Sequence, residues 1–97
     1  MAKAEFEWDE TKNLDNQKRH HVAFEEAQYA FLDRNRVIAQ DLKHSQEEPR
    51  FYCFGLDRDQ EGVLTFRFTF RENRIRIFGA GYWRKGRRIY EEANSVQ

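Results

Sequence analysis

From Val63 to Arg71 the chain alternates without a break. Leu64, Phe66, Phe68 and Phe70 fall on one side, and Thr65, Arg67, Thr69 and Arg71 on the other. A period of two sustained this long demands a strand with one buried face. Arg74 to Phe78 alternates again, with Ile75 and Ile77 turned to the apolar side. Only Glu72 and Asn73 separate the two runs. Asn tolerates positive φ, so the pattern predicts a tight antiparallel hairpin. Its register sets Arg71 opposite Arg74, Thr69 opposite Arg76 and Arg67 opposite Phe78. Four arginines then share one face, and directly opposed like charges are unfavourable. Either an anion covers that face, or acids from elsewhere in the chain neutralise it.

The hairpin belongs to a larger basic segment. Between Arg67 and Arg88 there are eight basic side chains, seven of them arginine, and one acid, Glu72, although the chain is formally neutral. Residues 1–50 carry a balance of −3 and residues 51–97 a balance of +3, so neutrality conceals a dipolar division. Arginine presents a planar fork that grips phosphate bidentately. The pattern points to nucleic acid or an acidic protein partner. The 97 residues suffice for a single domain spanning 1–97, and nine phenylalanines supply its core. Cys53, the sole cysteine, excludes an intramolecular disulfide. Set in Phe-Tyr-Cys-Phe, it reads as a small buried hydrophobe. No apolar run is long enough to span a bilayer and no secretory segment is evident, so the expected location is the cytoplasm without membrane contact.

The other elements follow from the same rules. Phe6-Glu7-Trp8 suggests a short first strand. Asp9 is a fitting N-cap for a helix to about Arg19, mostly wet, with Leu14 as its main apolar residue. Phe24, Ala27, Ala30 and Phe31 mark one face of a second helix, ended by Asp33-Arg34-Asn35. Strands are expected at 36–41 and 50–56, with a polar loop at 42–49 and a turn at 57–62. Gly79-Ala80-Gly81 should break the last strand, and a helix should follow from Trp83 to about Ala93. Gly86 within that helix implies close packing or a later start. Its basic first turn opposes the macrodipole preference and points to an anion there. The order is β-α-α-β-β-β-β-α. The fold class is α+β: a mostly antiparallel sheet, two N-terminal helices on its apolar face, and a C-terminal helix bordering the arginine face.

A set of residues resembles the BrnT family of type II toxins. It comprises Phe6, Trp8, Asp9, Lys12, Asn16, His20, Val22 and Phe24-Glu25-Glu26-Ala27, then Phe31, Asp41, His44-Ser45, Glu48, Arg50-Phe51, Gly55, Arg74-Ile75-Arg76-Ile77 and Ile89-Tyr90-Glu91-Glu92. The resemblance implies membership of the RelE/ParE toxin superfamily, with a RelE-like fold. It also implies a metal-independent endoribonuclease, without cofactors, that inhibits translation. A cognate antitoxin would neutralise the chain and supply the DNA contacts, in a complex of two toxins with an antitoxin dimer. Two departures stand out: His21 replaces the usual Gly, and Gly79-Ala80-Gly81 replaces the usual Ser-Ala-Arg.

Cleaving RNA without a metal requires removal of the 2′-hydroxyl proton, stabilisation of the phosphorane, and a proton for the leaving oxygen. His44 and His20 are candidates for proton transfer, with Glu48 as an alternative base. Arg76 and Arg50 are candidates for charge stabilisation at the catalytic centre. Arg67, Arg71, Arg74, Arg84 and Lys85 are candidate RNA contacts, and Tyr82 and Trp83 candidate stacking platforms. The three histidines form no recognised metal pattern. The alternative is a non-catalytic protein that uses its arginine face to bind a partner or a nucleic acid.

Overall fold

The computed structural model describes residues 5–95. The elements run β1 (Glu5–Trp8), α1 (Glu10–His20), a 3-10 turn (Phe24–Glu26), α2 (Ala27–Leu32), β2 (Val37–Gln40), a second 3-10 turn (Leu42–His44), β3 (Phe51–Leu56), β4 (Val63–Arg71), β5 (Arg74–Gly81) and α3 (Arg84–Ala93). The fold is α+β. Its five strands form one sheet in the order β1-β5-β4-β3-β2. The sheet is mixed: β1 runs parallel to β5 and the remaining pairs are antiparallel.

The hairpin forms as the alternation dictates. Glu72 and Asn73 adopt φ of 51° and 67°, a two-residue turn whose twist matches the strands. Arg71 pairs with Arg74 and Thr69 with Arg76. Beyond that the expected register fails. Arg67 faces Gly79 rather than Phe78, because Phe78 is an extra residue in a bulge between the Arg67 and Phe68 pairings. Nor does Gly79-Ala80-Gly81 end the strand; β5 continues through Gly81. Past the end of β1, α1 takes over this sheet edge. The Asn16 amide donates to the Ala80 carbonyl (2.9 Å) and accepts from the Ala80 N–H (3.3 Å), as a neighbouring strand would.

The sheet has two unlike faces. On one, Leu64, Phe66, Phe68, Ile75, Ile77 and Ala80 pack with Val22, Phe24, Ala27 and Ala30 in the main core. Burial of each such Phe or Leu side chain stabilises by about 1.5–3 kcal/mol. Cys53 lies in this core, where burial pushes its thiol up to about 12 and leaves it inert near neutral pH. On the other face, α3 lays Tyr90 and Ile89 over Phe54, Val63 and neighbouring residues of β2 and β3. Gly86 permits this approach: a Cβ there would overlap the Thr65 hydroxyl and stand 3.1 Å from the Phe54 ring. Asp33 ties the end of α2 to both layers. It accepts from the Leu56 N–H (2.8 Å) and the Tyr90 hydroxyl (2.6 Å).

The first helix is mostly exposed, as expected, and its two buried side chains are polar. Leu14 is 55% exposed, whereas Asn13 and Asn16 are buried. Asn13 accepts from the Phe24 N–H (2.8 Å), and Asn16 also donates to the Val22 carbonyl (2.8 Å). These amides fasten the segment after the helix as well as the sheet edge. No helix among the described residues is long and apolar enough to cross a membrane.

Candidate active site

The hairpin arginines share a face with acidic side chains that the parallel first strand delivers. Register sets Glu5 beside Arg74 and Glu7 beside Arg76. Arg74 reaches Glu5 at 3.2 Å and Glu7 at 3.6 Å, and Arg76 reaches Glu7 at 2.9 Å. The Arg76 hydrogen bond, foremost, holds the Glu7 carboxyl below its ordinary value, so this acid stays charged near neutral pH. Glu48 reaches Arg71 at 3.1 Å and Arg50 at 3.8 Å. Acids from elsewhere in the chain thus neutralise three of the four arginines of the expected cluster, Arg71, Arg74 and Arg76.

Arg67, the remaining arginine of that cluster, instead borders a cavity of about 490 Å³ between α3, the sheet and the end of α1. His20, Arg67 and Lys85 line it, together with Tyr52, Phe54, Ile89 and Trp83. None of its lining residues is acidic. Among the described residues, Arg67 and Lys85 have no carboxylate within ion-pair distance, and the His20 ring has no hydrogen-bond partner.

Local structure explains why these groups converge. Tyr52 is the β3 partner of Arg67, while Gly79 is its β5 partner. With no side chain at Gly79, the Arg67 guanidinium lies across that strand; a Cβ there would be 3.2 Å from it. Trp83 is the N-cap residue of α3 and Lys85 lies in its first turn. The Trp83 ring covers Gly81, where an added Cβ would be 2.6–3.0 Å from the indole carbons. His20, in the last turn of α1, meets the same ring edge-on at 5.2 Å.

The remaining candidates are placed elsewhere. His44 Nδ1 lies 2.8 Å from Asp41, outside the cavity lining. Burial alone would raise the Asp41 carboxyl, but the His44 hydrogen bond and charge outweigh it and lower it. Ser45 accepts from the Arg50 N–H (3.0 Å) and donates to the Asp41 carbonyl, which closes the loop on itself. The Arg50 guanidinium packs over the Phe78 ring at 4.4 Å, with the Lys12 ammonium 5.6 Å from the same ring. Tyr82 does not join Trp83. Its hydroxyl donates to Asp57 (3.0 Å), and burial, with this carboxylate, pushes the phenol up to about 12. Arg84 is exposed on α3 outside the cavity lining. Sequence reasoning singled out neither Tyr52 nor the room that Gly79 gives Arg67. The bulge that aligns Arg67 with Gly79 leaves no mark in a simple alternating pattern. Among the described residues, no group of three or more His, Cys, Asp or Glu converges as metal ligands.

The chain is a small α+β domain whose acid-free cavity sets Arg67 and Lys85 beside a half-exposed aromatic ring, Trp83. Comparison with known families gives that chemistry a context. The family model for the ribonuclease toxin BrnT of type II toxin–antitoxin systems matches residues 8–86, and the chain belongs to this family. Membership brings an antitoxin as its protein partner. No curated protein matches the chain. The two departures from the usual residues now have local accounts. His21 adopts the left-handed conformation (φ 60°, ψ 28°) that caps α1, a position suited to Gly. At Gly79 and Gly81, the space that side chains would need is taken by Arg67 and Trp83.

Proposed function

We propose that this protein is a metal-independent endoribonuclease whose cleavage of RNA inhibits translation, with its centre in the cavity of His20, Arg67 and Lys85. One observation carries this reading. Arg67 and Lys85 have no carboxylate partners among the described residues, whereas Arg71, Arg74 and Arg76 do. A bound carboxylate competes with phosphate for the same guanidinium donors. An acid-free lining also repels a divalent metal, which favours chemistry by side chains alone.

In this mechanism His20 takes the 2′-hydroxyl proton, and the oxygen attacks the adjacent phosphorus. The Arg67 fork binds the non-bridging oxygens as their charge grows. The bond to the 5′-oxygen breaks, and the Lys85 ammonium supplies that oxygen's proton. The products are a 2′,3′-cyclic phosphate and a 5′-hydroxyl. Arg50, Arg71, Arg74 and Arg76, each within ion-pair distance of Glu5, Glu7 or Glu48, flank the strand's path without binding its phosphates, and Arg84 flanks it on the helix. His44 and Glu48 support this outer surface through Asp41 and Arg71. The antitoxin silences the chain by covering the face, and two toxins with an antitoxin dimer form the resting complex in the cytoplasm.

The test is incubation of antitoxin-free protein with total RNA in EDTA, with and without translating ribosomes. Wild type should cleave. Arg67→Ala should lose about 10²–10³-fold in rate, the usual loss for one donor to a developing oxyanion. Arg76→Ala should stay close to wild type. Equal losses in both variants would move the centre to the hairpin. RNA left intact under both conditions would favour the non-catalytic, partner-binding alternative.

A further inference from the structure

We infer that the cavity receives a single RNA nucleobase, turned out of its strand and stacked on Trp83, so that Arg67 and Lys85 meet the phosphate beside it. The substrate class that follows is single-stranded RNA, engaged one unpaired nucleotide at a time. This deepens the ribonuclease reading and rests on it for the cleavage step only.

The cavity's size and walls favour this occupant. About 490 Å³ leaves room for a base with its ribose, and the value falls in the usual range of about 300–1,000 Å³ for small-ligand pockets. Tyr52, Phe54, Ile89 and Trp83 supply apolar and aromatic walls, while the polar groups are cationic or neutral. An aromatic wall beside unpaired cations matches a nucleotide's two chemistries, a π face and a phosphate.

Trp83 is held ready for stacking. Its ring is fixed against Gly81 on one side and the His20 edge on another, yet it remains 45% exposed. A large apolar ring kept rigid and half in water gains from a planar partner. Trp8, by contrast, packs edge-on against Phe24 on the sheet's other face, at 6.2 Å. Tyr82 is committed to Asp57 and Tyr52 is stacked with Phe54 at 5.9 Å, which among the described residues leaves Trp83 as the stacking ring at this end of the sheet. Turning a base out of a duplex carries an unpairing cost that an unpaired strand avoids, which selects single-stranded regions.

The chain's two tryptophans provide the readout. Their indole N–H resonances in a ¹⁵N-labelled sample, assigned with Trp8→Phe, are followed while each of the four ribonucleoside 3′-monophosphates is added. Inorganic phosphate serves as the control. At least one nucleotide should shift the Trp83 resonance saturably and leave Trp8 unmoved, and phosphate alone should not reproduce the shift. Trp83→Ala should weaken nucleotide binding about 5- to 150-fold, the value of one stacked base, while Trp83→Phe retains most of it. The inference is overturned if no nucleotide gives a saturable shift, if phosphate gives the same shift, or if only added antitoxin moves Trp83. RNA cleavage separates the two readings. Nucleotide binding without any cleavage by wild type would sink the ribonuclease reading and leave the pocket standing. Cleavage at the same positions and rate in Trp83→Ala would sink the pocket alone.

Discussion

Gly86 offers a test in which the sequence and the structure predict opposite signs. By helix propensity alone, Gly86→Ala in α3 should stabilise by about 1 kcal/mol. In the structure an alanine Cβ would overlap the Thr65 hydroxyl and crowd the Phe54 ring at 3.1 and 3.3 Å. Forcing a methyl group into a filled space costs about 1–3 kcal/mol. The expected net effect is a loss of about 1 kcal/mol. Thr65 Oγ1 is buried without a hydrogen-bond partner among the described residues. Thr65→Ala therefore loses a methyl contact but sheds an uncompensated polar group, and should be near neutral. In that background only the Phe54 ring opposes the new Cβ, and it need yield by only a few tenths of an ångström. Gly86→Ala should then stabilise by about 0.5–1 kcal/mol, giving a coupling of about 1.5–2 kcal/mol between two touching residues. Thr65→Val refills the hydroxyl's place and should restore the penalty. Urea denaturation of the three single variants, the two doubles and the parent at pH 7 reads all these values, with unchanged m confirming that only stability moved. If Gly86→Ala stabilises the parent, α3 stands off the sheet and the cavity beneath it has a different shape.

Three further outcomes can be read on the same protein. His21→Gly should stabilise by about 0.5 kcal/mol, because removing the left-handed penalty of about 1 kcal/mol outweighs the added freedom of the unfolded chain; an unchanged or lower thermal midpoint would contradict the cap at φ 60°. Asn16→Ala should cost about 2–4 kcal/mol, since it strips partners from Val22 and from both Ala80 backbone groups; a loss below 1 kcal/mol in the same urea assay would mean that this amide does not fasten the edge. For Asp33, burial raises the carboxyl, but the Tyr90 hydroxyl, with the Leu56 and Asn35 N–H groups, outweighs it and lowers it. A depressed carboxyl contributes stability above its unfolded value, which is lost as pH falls through its folded value. Asp33→Asn should therefore lower stability at pH 7 and lessen the decline below about pH 4, and parallel acid limbs in the two proteins would remove Asp33 from the linkage.

Much of the scaffold is legible because it is local. The alternation from Val63 to Arg71, the Glu72-Asn73 turn and the Asp9 cap each specify their own geometry. Asp9 accepts from the Thr11 N–H at 2.8 Å, as its position predicts. What escaped a local reading depends on partners far along the chain. Leu14 is the main apolar residue of α1, yet Asn16 is buried instead, because its amide completes a ladder at Ala80 that β1 is too short to reach. Glycines at 79 and 81 resemble a strand break, but here they make room for Arg67 and Trp83. The arginine face is legible as a cluster of charges. Its neutralisation is not, because Glu5 and Glu7 arrive on a parallel strand about seventy residues earlier in sequence.

That neutralisation has a measurable consequence for RNA binding. On a single strand, each phosphate neutralised contributes about −0.7 to the slope of log affinity against log salt. If Arg67 and Lys85 alone meet phosphate, wild type should give a slope of about −1.4. Combining Glu5→Gln with Glu7→Gln frees Arg74 and Arg76 without altering the cavity. Four available cations should steepen the slope to about −2.8 and tighten binding at low salt. Short single-stranded RNA carrying a 2′-O-methyl block at each linkage permits the measurement without cleavage, by fluorescence anisotropy across a salt series. A wild-type slope already near −2.8 that does not respond to the double substitution would mean that phosphate displaces Glu5 and Glu7 on binding. The arginine face would then act as a whole, and the contrast between paired and unpaired cations could no longer locate the active site. A shallow wild-type slope that steepens on removal of the two acids would show that this face is governed by which arginines are free, not by how many the sequence contains.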